Sequence, residues 1–249
     1  MSTTILRRTA AFLAVTLLLW EPVYGQHRPS PRRGRPPAEG KFHYVTVQIG
    51  AIDGPSISSY TGELNDFFAS LGSSDRIDDF GTNFTLGLGV CASLSRHFSY
   101  QANLNLYSFE TDAVFNYLDA GNMFVHRQEL SLGGATFGLN FLLNPALEAD
   151  TRFWPFLGVG VGVVSFFSDE LMDATVNGQS LGGLSTRRTK IALGAGIVCG
   201  GVYKVSPRWG LIIQGEYLLS KAKMSFYLAD DQELNLRQGL VKVGTVYFY

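Results

Sequence analysis

Apolar and polar residues alternate with a period of two along most of this chain. Val45, Val47, Ile49 and Ala51 interleave with Tyr44, Thr46, Gln48 and Gly50. The same alternation recurs at Phe84 to Val90, Ala102 to Leu106, Leu157 to Val163, Ile191 to Ile197, Leu211 to Tyr217 and Val241 to Tyr249. Successive side chains of a strand point to opposite faces, so each run has one apolar face and one small or polar face. One further run changes phase: Leu130 and Leu132 hold one face, while Phe137, Leu139 and Phe141 hold the other. Gly133-Gly134 lies at the switch and predicts a β-bulge. The pattern predicts eight strands of about 10 to 14 residues, near the length a tilted strand needs to cross a bilayer.

The connections alternate in length. Tight turns are expected near Ser95-Arg96-His97 and Ser206-Pro207-Arg208, and a longer one opens at Asn144-Pro145. Residues 53–80, 111–123, 168–187 and 223–237 read as long polar loops, rich in Asp, Ser, Gly and Asn. Short turns at one rim and long loops at the other, with an even strand count, predict a closed eight-stranded antiparallel transmembrane up-and-down β-barrel. Closure satisfies every strand edge, as hydrocarbon requires. Phe42, Tyr44, Phe98, Tyr100, Trp154, Phe156, Tyr203, Trp209, Tyr247 and Tyr249 are expected to form an aromatic girdle at the short-turn interface. The alternative all-β fold is an exported soluble barrel with its apolar face inward. The glycines at 158, 160 and 162 fit a crowded membrane-barrel interior better.

Composition agrees. Charged residues are 16% of the chain and the formal net charge is -1, so no global charge points to nucleic acid. Arg7 and Arg8, the apolar run 9–20 and Val23-Tyr24-Gly25 predict a signal peptide over 1–25. Residues 26–40 are dominated by Pro and Arg and read as an extended, solvated periplasmic arm. The barrel then occupies 41–249. The alternation points Cys91 inward and Cys199 outward, so no disulfide is expected between them.

Pro155 to Gly162, Gly194-Ala195-Gly196, Ser206 to Gly210 with Glu216-Tyr217, and the closing Val241 to Tyr249 carry a resemblance. On these residues the chain resembles the small bacterial outer-membrane β-barrel proteins, the grouping of the OmpA barrel, OmpX, OmpW and PorT-like barrels. The resemblance implies an outer-membrane location with both termini periplasmic. It also implies a C-terminal assembly signal at Tyr247 and Tyr249, where most members end on Phe. Its implied partners are outer-membrane lipid and lipopolysaccharide, the barrel-assembly machinery and other envelope proteins.

Candidate chemistry is sparse. The glycines at 158, 160 and 162 lack the spacing and following helix of a nucleotide loop. His126 falls opposite in phase to Glu129 and Ser131, so those three do not converge, and no cofactor or metal site is expected. The acidic loops lack EF-hand spacing and read as solvated. Glu129, Arg188, Lys190, Glu216 and Lys242 are placed on the inner face, where opposed charges would pair and fill the lumen with Gln48, Gln101, Asn103, Asn105 and Gln214. The expected role is non-enzymatic: structural, adhesive or envelope-assembly. A narrow channel for small apolar molecules and a lipid-modifying enzyme are the alternatives.

Overall fold

The computed structural model describes residues 43–95, 97–144, 152–224, 226 and 232–249. The expected signal peptide and basic arm, Phe42, Arg96 and Pro145 lie outside them. Eight strands form one closed antiparallel ring in sequence order: β1 (His43–Ile52), β2 (Asn83–Ser93), β3 (Phe98–Asp119), β4 (Asn122–Leu143), β5 (Phe153–Val176), β6 (Gln179–Lys204), β7 (Trp209–Met224) and β8 (Gln232–Phe248). The ring closes where β1 meets β8, from Tyr44↔Phe248 to Ile52↔Leu240.

The exterior is apolar. On β5, Leu157, Val159 and Val161 are 58%, 62% and 59% exposed, while every other residue turns to the lumen. Val47, Ile49, Phe137, Phe141, Ile197, Leu211 and Ile213 continue this surface around the ring. Outward apolar positions on β5 run over residues 153–163, matching the roughly 9–11 residues of a membrane-crossing strand. A continuous belt of this kind is far larger than a soluble surface tolerates, so the barrel spans a membrane.

The strands differ from expectation in length. β3 and β4 have 22 residues each, β5 has 24 and β6 has 26. Residues 111–123 and 168–187 are therefore not loops. The β3–β4 ladder runs without a break to Asp119↔Asn122, and the β5–β6 ladder reaches Val176↔Gln179. The two hairpins close on Ala120-Gly121 and Asn177-Gly178, all four residues at positive φ. That is the type I′ geometry whose twist matches the flanking strands. β2 pairs with β3 only as far as Thr85↔Tyr107, and β6 with β7 only to Gly194↔Ser220. Above those points β3 to β6 stand beyond the ring as a four-stranded wall. Asn177 staples the two hairpin tips: its amide oxygen accepts from the Met123 N–H at 2.9 Å, and its own N–H donates to the Met123 carbonyl at 2.8 Å.

The expected bulge at Gly133-Gly134 is absent. Ser108↔Gly133 and Tyr107↔Gly134 continue the β3 ladder, and Phe167 and Phe166 continue the β5 ladder. The phase of β4 never changes; its surroundings do. Phe137, Leu139 and Phe141 face outward in the apolar belt, whereas Leu130 and Leu132 face an apolar core inside the barrel mouth. The two glycines seat rings: a Cβ on Gly133 would lie 2.3 Å from Phe167 Cζ, and one on Gly134 would lie 2.7 Å from Tyr107 Cε2.

The segment 53–80 is not a solvated loop either. It contains α1 (Ser58–Ser70), which buries Tyr60, Thr61, Leu64 and Phe68 along one stripe. Asp79 accepts the Ile57 N–H at the helix start at 2.8 Å, and the chain leaves the helix through Gly72 at φ 89°. Phe68 stacks on Phe115 of β3 with centroids 4.0 Å apart, so α1 packs on the inner face of the wall.

Candidate functional site

The lumen is filled in three layers. At the short-turn end, Tyr44, Phe156, Val202, Ile212 and Phe248 form an apolar plug around the buried Cys91. Tyr44 and Phe156 thus belong to the interior rather than to the aromatic girdle. Their even-numbered phase turns them inward, while Phe98, Tyr100, Tyr203, Trp209 and Tyr249 remain exposed outside. Tyr247 faces outward beside Trp209, centroids 5.1 Å apart. Cys199 is exposed on the outer wall and both thiols are free.

The middle layer is polar. Glu216 on β7 takes Lys242 Nζ of β8 at 2.9 Å, Asn103 Nδ2 of β3 at 2.7 Å and Asn105 Nδ2 at 3.4 Å. Gln214 Nε2 also donates to Glu216. Lys242 is fully buried and donates a second bond to Asn105 Oδ1 at 2.9 Å. Gln101 Nε2 donates to Gln214 Oε1 at 3.0 Å, and Gln48 Nε2 reaches the same oxygen at 3.3 Å. Burying a lone carboxylate or ammonium is costly; here each charge meets the other and several amide dipoles.

β1, β3, β7 and β8 supply most of the long side chains, β4 adds Asn140, and inward glycines on β4, β5 and β6 leave room for them. A Cβ at Gly138 would lie 2.3 Å from Asn103 Oδ1, and one at Gly160 would lie 2.0 Å from Asn140 Oδ1. A void of about 30 Å³ lies beside Glu216, bordered by Asn103, Thr136, Gly138, Asn140 and Gly162.

The upper layer joins barrel to helix. Ile52, Phe109, Leu130, Leu132, Val164, Phe166 and Leu240 point inward and meet Ile57, Tyr60, Phe80 and Phe226. Within this core the Tyr60 hydroxyl donates to Glu170 of β5, and Gln128 Nε2 of β4 donates to Glu170 at 2.8 Å. Gln128 is fully buried and its Oε1 lies 3.3 Å from His126 Nε2. Burial, reinforced by the Glu170 hydrogen bond, holds the Tyr60 hydroxyl above its ordinary pKa. Burial against Phe68 holds the His126 imidazole below the usual histidine value. At the wall's edge Asp75 accepts from the Asn116 backbone and side-chain amides at 3.1 Å each, which lowers its pKa.

Of the charged residues expected inside, only Glu216 and Lys242 meet there. Glu129 is a correction: its odd-numbered phase on β4 turns it outward, where its carboxylate lies 3.9 Å from the exposed Arg127. Arg188 and Lys190 keep the inward phase of β6 but stand where β6 has already left β7, and Lys190 is exposed. Neither joins the network among the described residues. The Tyr60, Gln128 and Glu170 cluster was not anticipated. The spacing of Tyr60, Leu64 and Phe68, one apolar residue per helical turn, with Gly72 as a stop, is the pattern that marks α1. Among the described residues no group of His, Cys, Asp and Glu could hold a metal ion.

No protein-family model matches the chain, and no curated protein does. Among solved structures it is similar to the outer membrane protein OprG from Pseudomonas aeruginosa, with 11% identity, 84% of this chain and 96% of that chain covered, and a TM-score of 0.49. It is similar to Neisserial surface protein A, with 17% identity, coverage of 85% and 100%, and a TM-score of 0.34. It is also similar to the attachment invasion locus protein Ail of Yersinia pestis, with 13% identity, coverage of 83% and 99%, and a TM-score of 0.30. Its own closed ladders and apolar exterior place the chain among the small membrane-spanning β-barrels of eight antiparallel strands.

Proposed function

We propose that this protein is a sealed, non-enzymatic outer-membrane barrel whose task is to hold an interaction surface, the β3–β6 wall and α1, outside the bacterial cell. The short-turn end and both termini face the periplasm in this reading. The supporting observation is the contrast between inside and outside. The lumen is filled by two apolar plugs and a hydrogen-bonded layer that holds a void of about 30 Å³, while the strands that leave the ring stay paired to their tips. A conduit has no use for that filling, and a loop for casual solvation has no use for a continuous ladder. The two interior carboxylates named above, Glu170 and Glu216, are each engaged by hydrogen-bond donors, which favours a structural over a catalytic role.

The test is paired. Purified protein in planar bilayers is expected to show no steady conductance, and a reproducible open level would sink the sealed-lumen reading. A cysteine placed at Ala120, in a chain with Cys91 and Cys199 replaced by serine, should react with an impermeant maleimide on intact cells. Labelling only after permeabilisation would reverse the assigned orientation. Lipid mass spectra from expressing cells should match those of cells without the protein; a new acylation or cleavage product would instead establish an enzyme.

A further inference from the structure

Two buried side-chain oxygens border the void beside Glu216 without a hydrogen-bond donor or acceptor opposite them. Asn103 and Thr136 are 4% and 6% exposed, and neither Asn103 Oδ1 nor Thr136 Oγ1 makes a hydrogen bond. The orientation of Asn103 is fixed by chemistry. Glu216 needs a donor, so the Asn103 NH₂ turns to it at 2.7 Å, and the amide oxygen is left over Gly138 at the edge of the void. Thr136 sits opposite Asn105 in the β3–β4 register, on the same inner face. The Tyr107 hydroxyl approaches Thr136 and Gln238 from above. Leaving a buried oxygen without a donor costs its desolvation in full, and two such oxygens border one space. That space is large enough for one or two waters, which need only about 10–15 Å³ each, and it offers the two or more polar partners that a buried water needs.

We infer that the void is a hydration site of the lumen: an ordered water donates to Asn103 Oδ1 and exchanges a hydrogen bond with Thr136 Oγ1. It joins the charged layer around Glu216 to the hydroxyl of Tyr107 at the base of the upper apolar core. A monovalent cation is the rival occupant. Lys242 already neutralises Glu216, so a second positive charge there would go uncompensated, which favours the neutral ligand. The inference is independent of whether the wall binds anything.

A crystal structure of the full barrel at better than 2 Å should show a peak within 2.6–3.2 Å of both oxygens. Ordered side chains with no peak between them would overturn the inference. Thr136→Val keeps the shape and removes the hydroxyl. With a water present it should lower the urea midpoint of the folded barrel in vesicles. In a dry site it removes a costly orphan, so an unchanged or raised midpoint would overturn the inference. Chloride salts separate the two occupants: equal midpoints in NaCl, KCl and choline chloride are expected. A midpoint that rises specifically with Na⁺ or K⁺ would replace the water by a cation.

Discussion

Replacing Lys242 by Met should do more damage than replacing Lys242 and Glu216 together. The Lys242 side chain is 0% exposed and its Nζ lies 2.9 Å from Glu216 and 2.9 Å from Asn105. Met fills nearly the same volume and removes the charge. Glu216 then keeps Asn103, Asn105 and Gln214 as donors but loses its counter-charge in a lumen that solvent barely reaches. Breaking a buried ion pair from one side costs about 3–5 kcal/mol. The three amides soften this, so a cost of about 3 kcal/mol is expected, roughly a hundredfold in the unfolding equilibrium. In Glu216→Gln with Lys242→Met, both charges are gone and the one amide oxygen at position 216 can still accept from Asn103 and Gln214. That pair should cost only about 1 kcal/mol, so the second change restores about 2 kcal/mol; the coupling is that gain plus the cost of Glu216→Gln alone, well above the limit of additivity. Reversible urea unfolding in phospholipid vesicles, followed by tryptophan fluorescence, measures all four corners of the cycle. Costs that add within about 0.5 kcal/mol would refute the pairing.

Other outcomes follow from the same geometry. Gly158→Val should prevent assembly, because its Cβ would meet the Phe141 carbonyl oxygen at 2.2 Å and Leu142 Cδ2 at 2.8 Å; absence of the heat-modifiable folded band on gels checks it. The depressed His126 value means that the folded state favours the neutral ring, so this contribution is present above the unfolded pKa of about 6.5 and lost as pH falls below it. Hydrogen-exchange protection of α1 should therefore drop between pH 7.5 and 5, and His126→Phe should flatten the part of that drop due to this ring. Asn177→Ala places a poorer residue at φ 47° and removes the bond to Met123, so the hairpin tips should be cut faster by protease with the barrel intact. Deleting residues 247–249 takes away the Trp209 contact and the last rungs against β1, and should block insertion.

The ring itself was legible because lipid and lumen impose opposite demands on alternate residues. Val159 and Gly160 differ in size for that reason, and the alternation carries over to every strand. The same logic placed Glu216 and Lys242 inside. It failed where the surroundings of a strand change along its length. Above the apolar belt the outer face meets water, so Asp112 and Glu129 replace outward apolar residues and the segment imitates a polar loop, although its ladder continues. Leu130 and Leu132 mimic a register slip because the lumen at their level is an apolar core. Glu129 turns outward for the same reason: with no bulge at Gly133-Gly134, its odd-numbered parity is that of the outer face. Helix α1 is faint in the sequence because four aspartates over 66–79 give the segment the composition of a loop, while its apolar stripe is only Tyr60, Leu64 and Phe68.

The wall has a mechanical consequence. Its ladders run from the tips at Ala120 and Asn177 into the belt, with a single register shift at Ala174/Thr175 on the way. In antiparallel sheet the inter-strand bonds lie perpendicular to the strands. A pull along the strands from the tip therefore strains many rungs in parallel, in shear, instead of opening them one after another like a zipper. Tension at the tip would reach the barrel as a tilt of the whole body in the bilayer, with no hinge to absorb it.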